Sequence, residues 1–330
     1  MIRNIKTSVH NIALSLIFFL FVGISSVMAQ VAFPNRPITW VVPYAAGGAT
    51  DVLVRIIARK LTEDLGQSVV VNNKPGGGTM IAAQFVARAP ADGYTLLAAV
   101  VANMATAPLL SLSPAGYDPI KDFDAISLIT SNPLLLVASK SSNINKLSDL
   151  LRLAKEKPGQ LAIASYGQGT PSHLGIELLK VAAGIDVIHV PYKGQAPANT
   201  DMISGHVDVT FSSIGPATQH FKSGRLIPLA VSTSSRFSGL SEVPALAETI
   251  TGFDIGVWLG LTYPAGTPQA AIDRISQESD KILHTPAVME RFKALGYVPV
   301  GGKPEVLKNR IESDYKRFGD IIRANNIKGD

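Results

Sequence analysis

The chain has 330 residues, more than one small domain needs and enough for two lobes of ordinary size. Hydrophobic residues make up 46% of it and charged residues 17%, so the sequence can bury a large core and is not intrinsically disordered. The absence of cysteine excludes disulfides, thiolate metal sites and cysteine nucleophiles, and the net charge of +5 without a dense basic run argues against nucleic-acid binding.

The first 29 residues have the pattern of a secretory signal peptide. Arg3 and Lys6 precede an apolar run at residues 12–22, and small or branched residues lead to Ala29. The run is shorter than the roughly twenty residues that cross a bilayer, so we predict cleavage after Ala29 and export to a bacterial periplasm. The remaining chain has 28 basic and 25 acidic residues, and its net charge of +3 weakly favours an anionic ligand.

After this segment, short apolar runs alternate with stretches of helical periodicity. The pattern predicts strands at residues 38–42, 69–71 and 95–98 and helices at 52–61 and 80–89. This βαβαβ order predicts a parallel sheet with helices on both faces.

A second α/β series begins near Pro133. Its pattern predicts strands at 134–137, 161–164, 187–190, 207–211 and 229–231, separated by helices at 147–155, 174–183 and 199–204. The C-terminal part of the chain is predicted to form helices at 269–284, 287–295 and 304–325.

The order of these elements predicts two α/β lobes. The C-terminal helices have no strand series of their own, so we expect them to pack on the first lobe. We therefore assign residues 30–131 and 254–330 to a discontinuous first lobe and residues 132–253 to an inserted second lobe. Two chain crossings near residues 130 and 253 would form a hinge that lets the lobes close on a ligand.

Each predicted lobe contains one glycine-rich turn that links a strand to a helix. In the first lobe this turn is residues 43–51 (PYAAGGATD), where Thr50 or Asp51 can cap the helix. In the second lobe it is residues 165–173 (SYGQGTPSH), with Thr170 at the expected N-cap and Pro171 at the first helical position.

The two turns share a physical property that suits an anionic ligand. Each presents backbone N–H groups and the positive end of a helix dipole at the carboxyl end of a strand. A helix N-terminus stabilises an anion by roughly 0.3–1 kcal/mol when exposed and by up to about 2 kcal/mol when partly buried. Two such turns would hold a carboxylate without arginine, although the same turns also occur in α/β proteins for structural reasons alone.

Other motifs argue against cofactor and metal chemistry. Residues 167–172 have Ser172 where a dinucleotide fingerprint needs Gly or Ala, and residues 75–79 lack the Gly-Lys-Ser/Thr ending of a phosphate loop. The sequence contains no Gly-x-Ser-x-Gly elbow, and its histidines are not paired at helical ligand spacing. We therefore expect no cofactor and no metal.

Four side chains near the two turns are further candidates. Tyr44 is a candidate wall of the cleft, and His173 would either brace its loop or contact the ligand. Lys193 would be a charge near the ligand or a solvated surface residue. Asp208 lies in an apolar strand, where an unpaired carboxylate is costly, so we expect it to be paired, to face the cleft or to brace a loop.

Ten segments of the chain, in order, resemble the Bug family, the TctC-like solute receptors of tripartite tricarboxylate transporters. They are residues 34–37, 42–51, 71–78, 91–96, 117–123, 165–174, 191–194, 205–208, 258–261 and 264–268. The resemblance implies a two-lobed Venus flytrap of the type II periplasmic binding protein kind. It also implies that a small carboxylate is bound through loop backbones of both lobes and delivered to membrane subunits, and we expect the protein to be a monomer.

Carried over residue by residue, the resemblance implies a ligand site on both turns. Its members are Tyr44, Ala46, Gly47, Gly48 and Asp51 in the first lobe and Ser165, Gly167, Gly169, Thr170, His173, Lys193 and Asp208 in the second. Residues 76–78, residues 103–108 and Pro171 depart from the family's usual pattern, and we expect them to tune the pocket.

The predicted function is therefore a periplasmic receptor without turnover. Its ligand would be a dicarboxylate, a tricarboxylate, an acidic amino acid or an aromatic acid. One alternative is an exported sensor that presents its closed form to a signalling partner instead of a transporter. A second alternative is a hydrolase that uses Ser165 and His173 in the same cleft, which would release an altered ligand.

Overall fold

The computed structural model describes residues 33–327, except for the side chains of residues 216, 219 and 222. From Arg36 onward the chain forms one compact unit. None of the helices in the described part of the chain combines the length and the apolar character needed to cross a bilayer. The predicted signal peptide lies outside the described residues.

The described strands form one continuous mixed sheet. They are β1 (Ile38–Val42), β2 (Val69–Asn73), β3 (Thr95–Val100), β4 (Phe123–Ser139), β5 (Ala162–Ser165), β6 (Ile188–Pro191), β7 (Val209–Ser213), β8 (Leu226–Val231) and β9 (Gly256–Pro264). In the first lobe β1 pairs in parallel with β2 and β3, and β9 lies antiparallel between β3 and β4. In the second lobe β5 pairs in parallel with β6 and β7, while β4 runs antiparallel to β7 and β8.

The sequence-based expectation of parallel sheets is correct for β1–β3 and for β5–β7 and wrong where the lobes join. The reason is β4, a strand of 17 residues that belongs to both lobes. Its first part pairs with β9 as far as Pro133, and from Leu134 onward it pairs with β7 and β8. Because β9 returns from the second lobe, it enters the first-lobe sheet antiparallel to both of its neighbours.

Ser232 ties together the two chain crossings between the lobes. Its hydroxyl accepts the N–H of Leu134 at 2.8 Å, and its carbonyl accepts the N–H of Ile255 at 2.7 Å. The Ser232 hydroxyl also donates to the carbonyl of Ile255 at 2.5 Å. The crossings therefore run side by side, as a two-strand hinge requires.

The helices begin and end close to the positions that periodicity predicts. They are α1 (Ala49–Leu65), α2 (Met80–Ala87), α3 (Ala107–Leu110), α4 (Leu147–Glu156), α5 (Pro171–Ala183), α6 (Gln195–Ile203), α7 (Ile214–Lys222), α8 (Gln269–Leu283), α9 (Pro286–Ala294) and α10 (Pro304–Ala324). Gly66 and Gly184 end α1 and α5 in the left-handed conformation, each with its N–H on a carbonyl of the last turn. Four elements were not predicted from the sequence: α3, α7, β9 and the first part of β4.

The C-terminal helices pack on the first-lobe sheet. The indole N–H of Trp258 in β9 donates to the carboxylate of Asp314 in α10 at 2.8 Å. Asp314 is buried, and its charge is compensated by Arg310 at 2.7 Å and Arg317 at 2.8 Å. These contacts hold α10 against β9, and the lobe boundaries proposed from the sequence stay a prediction.

Candidate functional site

Loops from both lobes meet at the carboxyl ends of β1, β3 and β5. Directly after β3 the backbone forms a π-helical turn, residues 102–106, and the hydroxyl of Thr106 in this turn donates to the carbonyl of Gly169 in the second lobe at 2.5 Å. A Cβ atom built on Gly169 would lie 3.1 Å from the Cα and Cβ atoms of Ala107. The lobes are therefore in direct contact at this edge, as in a closed flytrap.

The first-lobe turn is fixed by a buried carboxylate. Asp51 accepts the N–H of Gly47 at 2.8 Å, the guanidinium of Arg55 at 2.9 Å and the amide of Asn73 at 2.9 Å. The Asn73 amide also donates to the carbonyl of Tyr44 at 2.9 Å. Burial alone would raise the pKa of Asp51, but the hydrogen bonds from Arg55, Gly47 and Asn73 together lower it. Asp51 thus braces the turn from behind.

The N-terminus of α1 is open. Its N-cap residue is Gly48, which has no side-chain cap, so the predicted capping by Thr50 or Asp51 is wrong. The first-turn N–H groups of α1 consequently lack an intrahelical acceptor, as at any uncapped helix start. Gly47 and Gly48 donate their own N–H groups to Asp51 and to the Ala45 carbonyl, so the open donors are the first N–H groups of α1. Ala46, Gly47 and Gly48 are exposed, so an anion can reach these donors and the helix dipole.

The π-helical turn is held by the buried side chain of Asn103. Its carbonyl oxygen accepts the N–H of Val100 at 2.8 Å, and its amide donates to the carbonyl of Ala98 at 3.3 Å. The hydroxyl of Tyr117 donates to the backbone carbonyl of Asn103 at 2.5 Å. These bonds fix the end of β3 and thereby the position of Thr106 at the contact between the lobes. Sequence reasoning singled out this segment only as a departure from the family pattern.

The second-lobe turn differs from the first because most of its N–H groups already have acceptors. The Tyr166 N–H donates to Ser172 Oγ, the Gly167 N–H to Ser165 Oγ and the Gly169 N–H to His173 Nδ1, at 3.1, 3.3 and 3.2 Å. Thr170, which is buried, caps α5 as predicted by accepting the N–H of His173. The expectation that each turn presents free backbone N–H groups is therefore wrong for the second turn, whose N–H groups have acceptors, whereas the first N–H groups of α1 remain open.

Behind the second-lobe turn lies a pair of stacked imidazoles. The rings of His173 in α5 and His189 in β6 are 4.3 Å apart and parallel to within 10°. His189 Nε2 lies 2.7 Å from Ser165 Oγ, and both Ser165 and His173 are fully buried. Of the two roles considered for His173, this position favours bracing the loop over contacting the ligand.

Glu177 lies near the imidazole pair, one helical turn beyond His173. One ligand atom from each of the three side chains lies within 4.8 Å of the others, a donor set of the kind that binds zinc. The in-plane lone pairs of two parallel, stacked rings do not converge on one ion, however, so this geometry does not suit a metal centre. The His-x-x-x-Glu spacing was a sequence signal for this cluster, but the sequence analysis considered only histidine pairs.

Three tyrosines add neutral hydroxyl groups to the region. Burial raises the pKa of Tyr44 and of Tyr166, and the nearby Tyr44 and Tyr297 raise the Tyr166 pKa further. Burial also raises the pKa of Tyr297 to about 12, against a smaller opposing effect of the Ser213 hydroxyl. All three phenols stay protonated at neutral pH and can donate hydrogen bonds. Tyr166 lies in the predicted second-lobe turn but was not singled out there, and nothing local in the sequence marks Tyr297.

Of the last two predicted site residues, Asp208 lies elsewhere and Lys193 lies at the edge that carries the turns. Asp208 accepts the N–H of Ala162 at 2.8 Å, at the amino ends of β5 and β7 and thus at the opposite edge from the turns. We therefore no longer assign Asp208 to the ligand. Lys193 is exposed in the loop after β6, on the same edge as Ser165 and the second-lobe turn.

Two lobes joined by paired crossing strands, with glycine-rich turns facing a common edge, define the class of two-lobed solute-binding proteins. The fold class is that of type II periplasmic binding proteins, as the sequence predicted.

Comparison with known proteins gives the family. The sequence model of the tripartite tricarboxylate transporter family receptor matches residues 53–327, so the chain belongs to this family. Protein BugT of Bordetella pertussis is 33% identical over 317 residues, which cover 94% of this chain and 96% of BugT. The resemblance to the Bug family is therefore confirmed.

Solved structures of similar proteins agree with this family. The structure described as "R. palustris Rpa4515 with adipate" is 33% identical, has a TM-score of 0.85, and the match covers 90% of this chain and 99% of that one. The structure "MatC (Rpa3494) from Rhodopseudomonas palustris with bound malate" is 30% identical, has a TM-score of 0.81, and the match covers 88% of this chain and 100% of that one. Another solved neighbour is described as periplasmic binding protein BugD, and the family model describes a transporter receptor, so the chain is a solute receptor of this family.

Proposed function

We propose that the protein captures a small dicarboxylate or a related carboxylate between its lobes and delivers it to the membrane subunits of a tripartite tricarboxylate transporter. The observation that carries this proposal is the likeness along about nine-tenths of the chain to two structures that hold adipate and malate. The proposed site comprises Tyr44, Ala46, Gly47 and Gly48 in the first lobe, with Lys193 and the Ser165–Thr170 turn facing it from the second.

The structure supplies a physical basis for carboxylate binding by the first lobe. The open N-terminus of α1 provides backbone donors and partial positive charge, and Asp51 holds the turn in place. The second lobe contributes the neutral Tyr166 hydroxyl more readily than backbone donors, because its turn uses its own N–H groups. We therefore place the carboxylate at α1 and let the second lobe close over it.

Export and assembly complete the proposal. We propose that the protein reaches the periplasm after cleavage behind Ala29, acts as a monomer, and closes about the two crossings near residues 133 and 255. Residues 30–131 and 254–330 would then move as one lobe against residues 132–253. Small-angle scattering with and without ligand tests this division. A radius of gyration that stays the same when the protein is saturated with ligand would contradict it.

Two measurements test the binding proposal: the identity of any co-purified ligand and the preference of the protein among carboxylates. Native mass spectrometry of freshly purified protein should show a co-purified acid, and a thermal-shift panel of adipate, malate, citrate, glutamate, nicotinate and benzoate should identify a class. Ligand recovered after incubation should be chemically unchanged. An altered product would favour the hydrolase alternative, although Ser165 is buried and faces His189 rather than the expected His173.

A pair of variants tests the α1 turn. Ala46→Leu places a large side chain in the exposed turn and should abolish binding of the best panel member. Ala270→Leu places the same side chain at the start of α8, which is also uncapped but follows the end of β9 at the opposite edge of the sheet. Equal binding by both variants and the unaltered protein would show that the ligand lies elsewhere.

A further inference from the structure

The contact between the lobes is linked by hydrogen bonds to the buried imidazole pair (His173 and His189). The Gly169 peptide joins the two: its carbonyl accepts the hydroxyl of Thr106 from the first lobe at 2.5 Å, and its N–H donates to His173 Nδ1 at 3.2 Å. The same peptide therefore makes a bond across the cleft and a bond into the second-lobe core.

The direction of the second bond fixes the protonation state of His173. Because the Gly169 N–H is the donor, Nδ1 must carry a lone pair, and the neutral ring must carry its proton on Nε2. A second proton would have to bind Nδ1, where it would face the Gly169 N–H. The hydrogen bond would then be lost, and the peptide would have to move away from His173.

Titratable and charged groups from three elements surround His173. Imidazoles titrate in the range between about pH 5 and 8. On its own helix Glu177 lies within 4.8 Å of both rings and is itself paired with Lys180 at 3.1 Å. From β6 His189 stacks on the ring, and the loop contributes the neutral Tyr166.

We propose that His173 is the positioning residue for the Gly169 peptide and holds it for closure only while its ring is neutral. Protonation of His173 releases the peptide, weakens the bond from Thr106 and opens the cleft. The closed form therefore binds fewer protons than the open form, so closure is favoured at higher pH and is lost as pH falls. Ligand retention would accordingly decrease in acid. This consequence for binding rests on the proposed carboxylate function, whereas the tautomer of His173 does not.

The substitution His173→Asn separates positioning from titration. The Asn side-chain oxygen can take the place of Nδ1 as the acceptor for Gly169, but it does not titrate. His173→Phe keeps an aromatic ring against His189 and removes the acceptor. His206→Gln serves as the control, because His206 is mostly exposed and lies outside the site.

The first experiment measures the Kd of adipate and malate by titration calorimetry at pH 5.0 and 7.5. Each Kd is first corrected for the protonation of the ligand, which affects all variants alike. The wild-type protein and His206→Gln should then bind about tenfold more weakly at pH 5.0 than at pH 7.5, and His173→Asn should have the same Kd at both pH values. His173→Phe should bind weakly at both. A His173→Asn profile that matches the wild type would overturn the proposal.

The second experiment needs no variant and no ligand. Nitrogen-15 spectra of the histidine rings in the full-length protein should show the His173 ring as the Nε2–H tautomer at pH 7.5. The opposite tautomer, or a doubly protonated ring, would refute the inference even if every variant failed to fold. If neither adipate nor malate binds the wild-type protein, the proposed function loses support, while these spectra still decide the role of His173.

Discussion

The substitution Gly169→Ala should hinder closure of the lobes and leave the proposed anion-binding groups of α1 unchanged. Gly169 has a φ of +69°, and a Cβ atom there would lie 3.1 Å from Ala107 in the first lobe, closer than ordinary van der Waals contact. Gly184 is a matched control, because its φ is +59° and an added Cβ would meet nothing within 4 Å. Both variants place alanine in the left-handed region, but only the first places a methyl group between the lobes.

The expected magnitude follows from the contacts that differ. Left-handed backbone costs alanine about 1–2 kcal/mol in either variant, so both should lose similar thermal stability. Gly169→Ala alone adds overpacking of about 1–3 kcal/mol to the closed state and weakens the bond from Thr106, which contributes about 0.5–1.5 kcal/mol. A loss of about 2 kcal/mol from the closed state raises Kd about thirtyfold.

Titration calorimetry with the best ligand of the carboxylate panel measures this difference. Gly184→Ala should bind within about twofold of the wild-type protein, and Gly169→Ala should bind about thirtyfold more weakly and remain more extended in small-angle scattering. Wild-type affinity in Gly169→Ala would refute the close approach of Gly169 and Ala107 in the bound state. An equal loss in both variants would assign the effect to backbone strain instead.

Three further predictions concern the first lobe and export. Asp51→Asn should lower the free energy of unfolding by about 1–2 kcal/mol in urea titrations. Because hydrogen bonds lower the Asp51 pKa below 3.8, its contribution is present above that value and is lost as pH falls through the lower folded pKa, so the difference from wild type should shrink in acid. Tyr44→Phe should raise Kd about fivefold with an unchanged unfolding temperature, because one hydroxyl donor is removed; unchanged affinity would place Tyr44 outside the site. Intact mass of the periplasmic protein should correspond to a chain that begins at Gln30, and a retained leader would contradict cleavage after Ala29.

Local patterns were sufficient to predict most of the secondary structure. Helices α8 and α10 carry long apolar periodicities, and their observed bounds agree with the predicted ones to within one residue at each end. The first part of β4 and all of β9 were missed because each is specified by the other: Phe123 pairs with Pro264, far along the chain. Helix α7 was missed because its first residue, Ile214, is followed by Gly215 and a proline, a combination typical of turns.

The candidate site was predictable to the level of its turns and no further. Glycine content and position after a strand identified both turns, since these features are local. Which N–H groups remain open depends on partners from other elements. Gly47 is satisfied by Asp51 of the following helix, and Ser165 is positioned by His189 of the next strand. Neither hydrogen bond can be predicted from the composition of the chain or from the spacing of its residues.

The two turns differ in their open N–H groups, so we expect the first turn to determine affinity for the anion and the second to determine closure. An open helix start at α1 can bind an anion whether or not the lobes touch, because its donors all lie in the first lobe. The second-lobe turn keeps its N–H groups occupied and meets the first lobe through the carbonyl of Gly169. Substitutions near Gly48 should therefore change the intrinsic affinity of the open form, and substitutions near Gly169 should change only the population that closes. A receptor built this way can tune release without altering the groups that recognise its ligand.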